Sequence, residues 1–385
     1  MKSILFIQNG DYKDAYLRFA DGGDETYRDQ RRSVDWVASF APENICTTVA
    51  LTPSNYRQEL ADNLWAVGIR RAEVTKSSVK RIFDEAKPTH VVLRTPHLKF
   101  LREARRRGVF LLPCFADIFG RGGPRTTLKN AMLRKEIKNS RARCYSNHSL
   151  NASRSMVNVL KLKPEMVVPW DWQMVPLAKG AKTSPVDVRN PTAFFAGTLT
   201  ESKGVGDCIR AISELSKRGV SLSMNFAGPG DTKKWRKLSD ELGVSSQTAF
   251  LGMISNSAVR KQMNEHDFVI VPSRHDYAEG LPNTIYEGLA SRSVVIISDH
   301  PAFSGRLLEN EEVLIFKAGN PSDLASSILA ALEDTSLYMT ISGNSGKAHD
   351  KLYVGLEWSD LVNSFLNDPE DTQGWVRQSS LANGK

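Results

Sequence analysis

Two stretches of this 385-residue chain gather the residue types that handle a charged, oxygen-rich ligand. The first, residues 269–298, reads VIVPSRHDYAEGLPNTIYEGLASRSVVIIS. An apolar run ends at Pro272 and Ser273, a loop carries Arg274, Glu279, Gly280, Leu281 and Pro282, and a helical pattern starts near Thr284 with Glu287 about one turn in. Gly280 lets backbone come close to a ligand and Pro282 suits a helix start. The N–H groups around Leu281, Asn283 and Thr284 lack intrahelical partners and suit phosphate oxygens. Glu279 and Glu287 then face one cleft. The second stretch, residues 194–205, reads FFAGTLTESKGV: a strand end, a turn with Gly197 and Thr198, then Lys203 at a helix entrance. A glycine-lined turn with an ammonium group at the helix start holds a diphosphate, the lysine acting as a point charge.

The order of these features resembles the retaining glycosyltransferases of the GT-B fold, in particular glycosyltransferase family four, whose hallmark is two glutamates with seven residues between them after a Pro-Ser dipeptide. Pro272, Ser273, Glu279 and Glu287 match it in order and spacing. The resemblance implies that Glu279 lies beside the donor sugar, that the backbone of Gly280, Leu281 and Pro282 holds diphosphate or sugar hydroxyls, and that Glu287 binds the ribose. It implies Lys203 as the diphosphate-binding lysine, so that Glu279 and Lys203 carry the chemistry. The match is incomplete: the family usually places Arg after the glycine, where this chain has Thr198. Arg274 is the candidate to supply the missing charge. Gly228, in FAGPG at 226–230, matches the family's glycine turn near the nucleotide, and FLG at 250–252 matches the segment that touches the base. WSDLVNSFL at 358–366 is similar to the last family helix, which crosses back to the first domain. The resemblance covers residues 190–367 well and the first half in outline. It also implies that no cofactor and no protein-bound metal is needed; the chain has no D-x-D motif.

The elements that must position these groups follow from hydrophobic periodicity. Short β-branched runs alternate with helical-period segments in both halves, the pattern of parallel sheets covered by helices. The fold class is α/β, with two doubly wound, Rossmann-like domains facing a cleft. The first half predicts strands over 3–8, 45–51, 89–94, 109–115, 143–146 and 166–169, and helices over 27–39, 98–107 and 150–160. The second predicts strands over 192–196, 223–227, 248–251, 268–272, 294–298 and 313–316, and helices over 205–218 and 233–242. The composition of 178–190 places a linker there. The expected organisation is an acceptor-binding domain over 1–185, a donor-binding domain over 186–350, a returning helix over 351–367 and a disordered tail over 368–385. Ligands of such sheets lie beyond strand C-terminal ends. On the acceptor side, Arg94, His97, Asp117 and His148 are the polar groups at strand ends.

Charge is unevenly shared. Residues 1–190 carry 33 Lys and Arg against 19 Asp and Glu, and the remainder 18 against 24. The excess peaks at Arg105, Arg106, Arg107, Arg121, Arg125, Lys129, Arg134, Lys135, Lys138, Arg141 and Arg143. Nucleic acid, anionic lipid headgroups and an anionic acceptor all satisfy such a run by charge. No stacking aromatics interleave with it, which argues against nucleic acid and leaves an anionic membrane surface or a lipid-linked or sugar acceptor. The four cysteines form no C-x-x-C pair, and ILFI at 4–7 is too short for a signal or membrane segment, so a cytoplasmic protein, peripheral at the inner membrane face, is expected. A dehydrogenase is disfavoured because neither half has G-x-G-x-x-G after its first strand. A sugar-nucleotide epimerase of the same architecture and a non-catalytic glycosyltransferase-like scaffold stay open at this point.

Overall fold

The computed structural model describes residues 1–120, 122–185 and 187–383, and the chain forms two compact units. The first comprises Met1–Asp24, Asp29–Gln173 and Val354–Lys385, and the second Glu25–Arg28 and Met174–Tyr353.

The first unit is built on eight strands: β1 (Ser3–Gln8), β2 (Ile45–Leu51), β3 (Tyr56–Ala61), β4 (Leu64–Ile69), β5 (His90–Leu93), β6 (Phe110–Phe115), β7 (Tyr145–His148) and β8 (Val167–Trp170). Their order is β3-β4-β2-β1-β5-β6-β7-β8, and every pairing is parallel except the antiparallel edge pair β3–β4. Successive side chains of a strand point to opposite faces. Thus Leu5 and Ile7 of β1 join one buried cluster with Val91, Leu93 and Leu111, while Ile4 and Phe6 join another with Val92, Leu112 and Cys114. The hairpin β3–β4 is absent from the predicted strands. Its turn is Asp62-Asn63, with Asn63 in the left-handed region (φ 61°), a dipeptide that suits such a turn.

The second unit holds six parallel strands: β9 (Thr192–Ala196), β10 (Ser223–Ala227), β11 (Thr248–Gly252), β12 (Phe268–Val271), β13 (Val294–Ser298) and β14 (Leu314–Phe316), in the order β11-β10-β9-β12-β13-β14. From β9 the chain winds to one side and from β12 to the other, so β9/β12 is the topological switch point, where such sheets bind ligands.

Several boundaries differ from the sequence reading. The units divide at 173/174 and 353/354 rather than at 185 and 350. The polar segment read as a linker clings to the second unit: Ala178 N–H donates to Ala290 O (2.8 Å), and the Lys182 ammonium is buried against Met263 O, His266 O and Ser293 Oγ. Desolvation lowers the Lys182 pKa to about 8. Composition reports polarity, and here the polar groups find protein partners. The helix expected from Tyr27 starts at Gln30, because Glu25–Arg28 belongs to the second unit, where Asn256 N–H donates to Glu25 O (2.8 Å) and Arg28 lies over the Tyr286 ring at 4.4 Å. The described part of the tail expected to be disordered, residues 368–383, is structured. Asp368 caps the turn by accepting from Thr372 and Gln373 N–H (both 2.9 Å), and a short helix, Trp375–Ser379, buries Val376. The helix Trp358–Asn367 buries Trp358, Leu361, Val362, Phe365 and Leu366 in the first unit's core.

Candidate active site

The residues past β9 and β12 meet at the switch point. Gly204, which caps the helix Val205–Lys217, has φ +77°, and a Cβ there would lie 2.2 Å from Pro272 O, so backbone geometry and space both demand glycine. Arg274 N–H donates to Ser202 O (2.8 Å), which locks the two loops together. On the other side of β9 the turns also touch: Gly197 N–H donates to Ala227 O (2.9 Å), Gly228 N–H donates to Gly252 O (2.8 Å), and a Cβ on Gly228 (φ +137°) would fall 2.0 Å from Gly197 O. Sequence spacing suggests these glycines; the close approaches explain them.

Lys203 and Glu279 form an ion pair, with side chains only 13% and 11% exposed. Ser273 Oγ donates to the same Glu279 oxygen, Oε2, at 2.8 Å, and the Lys203 ammonium lies 4.5 Å from the centre of the Tyr277 ring. The loop that carries Glu279 is pinned along its length. Ser298 Oγ donates to Ser273 O (2.6 Å), Arg274 grips Asp207, and His300 Nε2 lies 3.1 Å from Tyr277 O. The helix Asn283–Ala290 then begins, with Pro282 at its N-cap and Thr284 Oγ1 donating to Ala196 O at the end of β9 (3.2 Å). Gly280, Leu281 and Pro282 are buried and Asn283 half-buried at this start.

Glu287, one turn further, engages different neighbours. It is 5% exposed and accepts from Asn256 Nδ2 at 2.5 Å. Burial lifts its carboxyl above the ordinary range, against the pull of the Asn256 amide, Arg28 and Arg260. It lines an open pocket of about 150 Å³ with Val175, Leu177, Arg260 and Asn264.

Arg274 does not supply the charge expected in place of the family Arg. Its Nε and NH2 donate to the two oxygens of fully buried Asp207 (2.8 and 2.6 Å), and NH2 pairs with Glu201 at 2.8 Å. Asp207, lying one turn into the neighbouring helix, could not be singled out from sequence because its partner is 67 residues away. Thr198 is exposed just past Gly197. Tyr277, His275, Asp299 and His300 were likewise not among the sequence candidates, although SDH follows a clear strand. His275 Nε2 lies 2.8 Å from Asp299 Oδ1, which also accepts from Ala318 N–H (2.9 Å).

Residues 181–348 match the family model "Glycosyl transferases group 1". The chain is 23% identical over 184 residues to a phosphatidyl-myo-inositol mannosyltransferase of Mycolicibacterium smegmatis, covering 48% of this chain and 46% of the relative. It is 22% identical over 156 residues to an alpha-D-kanosaminyltransferase of Streptomyces kanamyceticus, with 40% of each chain covered. The chain thus spans less than half the length of these curated relatives. Among solved structures it is similar to a sucrose-phosphate synthase from Thermosynechococcus elongatus (TM-score 0.67, 14% identity, 95% of this chain and 98% of that one). It is also similar to Anabaena HepE in complex with UDP and glucose (TM-score 0.66, 13% identity, 96% and 100%). The fold is that of the GT-B glycosyltransferases.

In the first unit, Arg94, Asp117 and His148 stand at the ends of the neighbouring strands β5, β6 and β7. The Arg94 guanidinium lies over the rings of Trp172 (5.3 Å) and Trp358 (4.7 Å). His97 caps the helix Leu98–Arg107, and burial with Lys99 and Arg71 nearby lowers its pKa. The Asp117 carbonyl accepts from Asn147 Nδ2 (3.0 Å). His148 is an interior residue rather than a cleft group: 5% exposed, it pairs with fully buried Asp171 (3.1 Å) and packs on Trp170. Much of the basic run is neutralised locally. Arg105 pairs with Glu136, Arg106 and Arg107 with Glu103, and Arg141 and Arg143 with Glu370. Arg121 lies outside the described residues. The helix Pro124–Lys138 keeps Arg125, Lys129, Arg134, Lys135 and Lys138 exposed beside Leu128, which is 63% exposed. Among the described residues, no group of three or more His, Cys, Asp or Glu is arranged to hold a metal ion, and no helix is long and apolar enough to cross a membrane.

Proposed function

We propose that the protein transfers a glycosyl unit from a nucleoside diphosphate sugar to an acceptor with retention of anomeric configuration, in cell-surface polysaccharide or glycolipid synthesis. The observation that carries the reading is the buried Lys203–Glu279 pair at the switch point of a group 1 glycosyl transferase domain. When a sugar leaves its diphosphate, negative charge grows on the leaving oxygen, and preorganised donors must meet it. Lys203 and the N-terminus of the helix Asn283–Ala290 are those donors, with the glycine turns at Gly197 and Gly228 admitting the phosphates. Glu279 then stands beside the sugar, and Glu287, with Asn256, takes the ribose hydroxyls. Because Arg274 is committed to Asp207, Lys203 is the side-chain cation on which the diphosphate relies. Similarity to structures that hold UDP makes uridine the first base to test. The exposed cations of the helix Pro124–Lys138 support a cytoplasmic protein held against an anionic membrane that presents the acceptor. A thermal-shift screen against nucleoside diphosphates and sugar nucleotides tests the core of this reading. A rise in Tm with UDP or another nucleoside diphosphate is expected; no rise with any of them at millimolar concentration would overturn it.

A further inference from the structure

The Lys203–Glu279 pair is placed only as well as the loop that carries Glu279, and one buried imidazole reaches across to that loop. His300, two residues beyond β13, is 1% exposed and has both ring nitrogens committed. Nε2 lies 3.1 Å from Tyr277 O, and Ala302 N–H donates to Nδ1 at 3.1 Å. A carbonyl only accepts and an amide N–H only donates, so these contacts allow a single form: the neutral ring with its proton on Nε2. The plane of the ring is fixed by Phe303, stacked at 5.2 Å, and by the edge of His275 at 6.1 Å. Tyr277 adjoins the ion pair: the Lys203 ammonium lies over its ring, and its backbone is two residues before Glu279. The charged and titratable groups that face the imidazole are Glu279, Lys203 and His275. Burial is the largest influence on His300 and lowers its pKa, which matches the neutral ring that the contacts require.

We propose that His300 is a positioning residue for glycosyl transfer: its Nε2–H holds the Tyr277 carbonyl and thereby sets Glu279 against Lys203 and the donor sugar. The inference rests on the reading of the site given above. Misplacing a reacting group by about 1 Å costs up to about a hundredfold in rate. Ser298 and Asp207 anchor the loop at Ser273 and Arg274, whereas His300 reaches its backbone at Tyr277, two residues before Glu279.

Two substitutions separate positioning from packing. His300→Gln keeps an N–H that reaches the Tyr277 carbonyl, whereas His300→Asn keeps an acceptor for Ala302 but is too short to reach Tyr277. With whichever UDP-sugar the wild-type enzyme turns over, His300→Gln should stay within about threefold of wild-type kcat. His300→Asn should lose about tenfold or more in kcat, with the Kd for UDP within about threefold. Wild-type kcat in His300→Asn, or an equal loss in both variants, overturns the proposal. Should either variant fail to fold, the 15N shifts of the His300 imidazole in the intact wild-type protein decide: an Nε2–H tautomer unchanged from about pH 6 to 8 is expected, and an Nδ1–H tautomer or a titration in that window overturns it. Wild-type protein that neither binds UDP nor turns over any donor would sink the functional reading instead, while the 15N measurement still tests the strut.

Discussion

Removing the Glu279 charge should tighten nucleotide binding while it slows the reaction. In the free protein the two groups assigned to sugar and diphosphate neutralise one another: Lys203 pairs with Glu279 in a site where both side chains are nearly dry. On the proposed function, an arriving diphosphate must take Lys203 for itself and leave the carboxylate beside two phosphate groups. A hydrogen bond between charged groups is worth about 1.5–3 kcal/mol net, and the diphosphate has to offset that loss. Glu279→Gln keeps an oxygen for Ser273 Oγ, which lies 2.8 Å away, but leaves no ion pair to break. UDP should therefore bind the variant about 1–2 kcal/mol more tightly, roughly five- to thirtyfold in Kd. Turnover should fall, because the group proposed to stand beside the sugar has lost its charge. Isothermal titration of wild type and variant with UDP measures the first effect, and steady-state kinetics with a sugar nucleotide the second. Unchanged or weaker UDP binding by a correctly folded variant would refute the reasoning, since it would mean that Lys203 is not shared between the carboxylate and the diphosphate.

Lys203→Ala should weaken nucleoside diphosphate binding by about 1.5–3 kcal/mol and the monophosphate much less, and titration with UDP and UMP shows whether the two losses differ. Arg274→Ala leaves buried Asp207 with only the more distant Arg210 at 3.9 Å, so stability should drop by about 2 kcal/mol, given that the Arg274 side chain is 29% exposed, and Tm with it, while UDP affinity changes less than about twofold. A large loss of UDP affinity without a change in Tm would restore Arg274 to the donor site. His90 is held neutral by burial, with Lys2 and Arg141 adding to the effect, and its pKa falls from 6.5 to about 4. Between those values the unfolded chain binds a proton that the folded chain refuses, so stability drops as pH falls from 6.5 to 4, by at most about 3 kcal/mol from this group. His90→Phe should flatten that acid arm in urea unfolding, and an unaltered slope would contradict the assignment. Replacing Arg125, Lys129, Arg134 and Lys135 by Gln should abolish salt-sensitive sedimentation with anionic vesicles, as each cation near such a surface is worth about 1 kcal/mol. Equal recovery of wild type and variant in the supernatant, at low salt, would mean the helix is simply solvated.

The sequence by itself determined what is local. Apolar runs such as FVIV at 268–271 and VVIIS at 294–298, set between helical-period segments, are enough to specify strands of a parallel sheet, and the observed limits of β12 and β13 lie within a residue of that reading. The spacing of Gly197, Lys203, Gly204 and Glu279 was legible for the same reason: each lies in a turn or loop between a strand end and a helix start, with Glu287 one turn into the helix that follows, and the turn chemistry is written in their immediate neighbours. Only the tertiary structure decided which of these groups touch. Lys203 and Glu279 are 76 residues apart and meet because the chain reverses its winding between β9 and β12. The same long-range packing turned Arg274 toward Asp207, buried His148 against Asp171, drew Glu25–Arg28 into the second unit and consumed much of the basic run in ion pairs. Charge and residue type are properties of single positions, whereas a partner is a property of the fold. For that reason the exposed cations of the helix Pro124–Lys138 and the contact of His300 with the Tyr277 carbonyl became visible only after every neighbour had been placed.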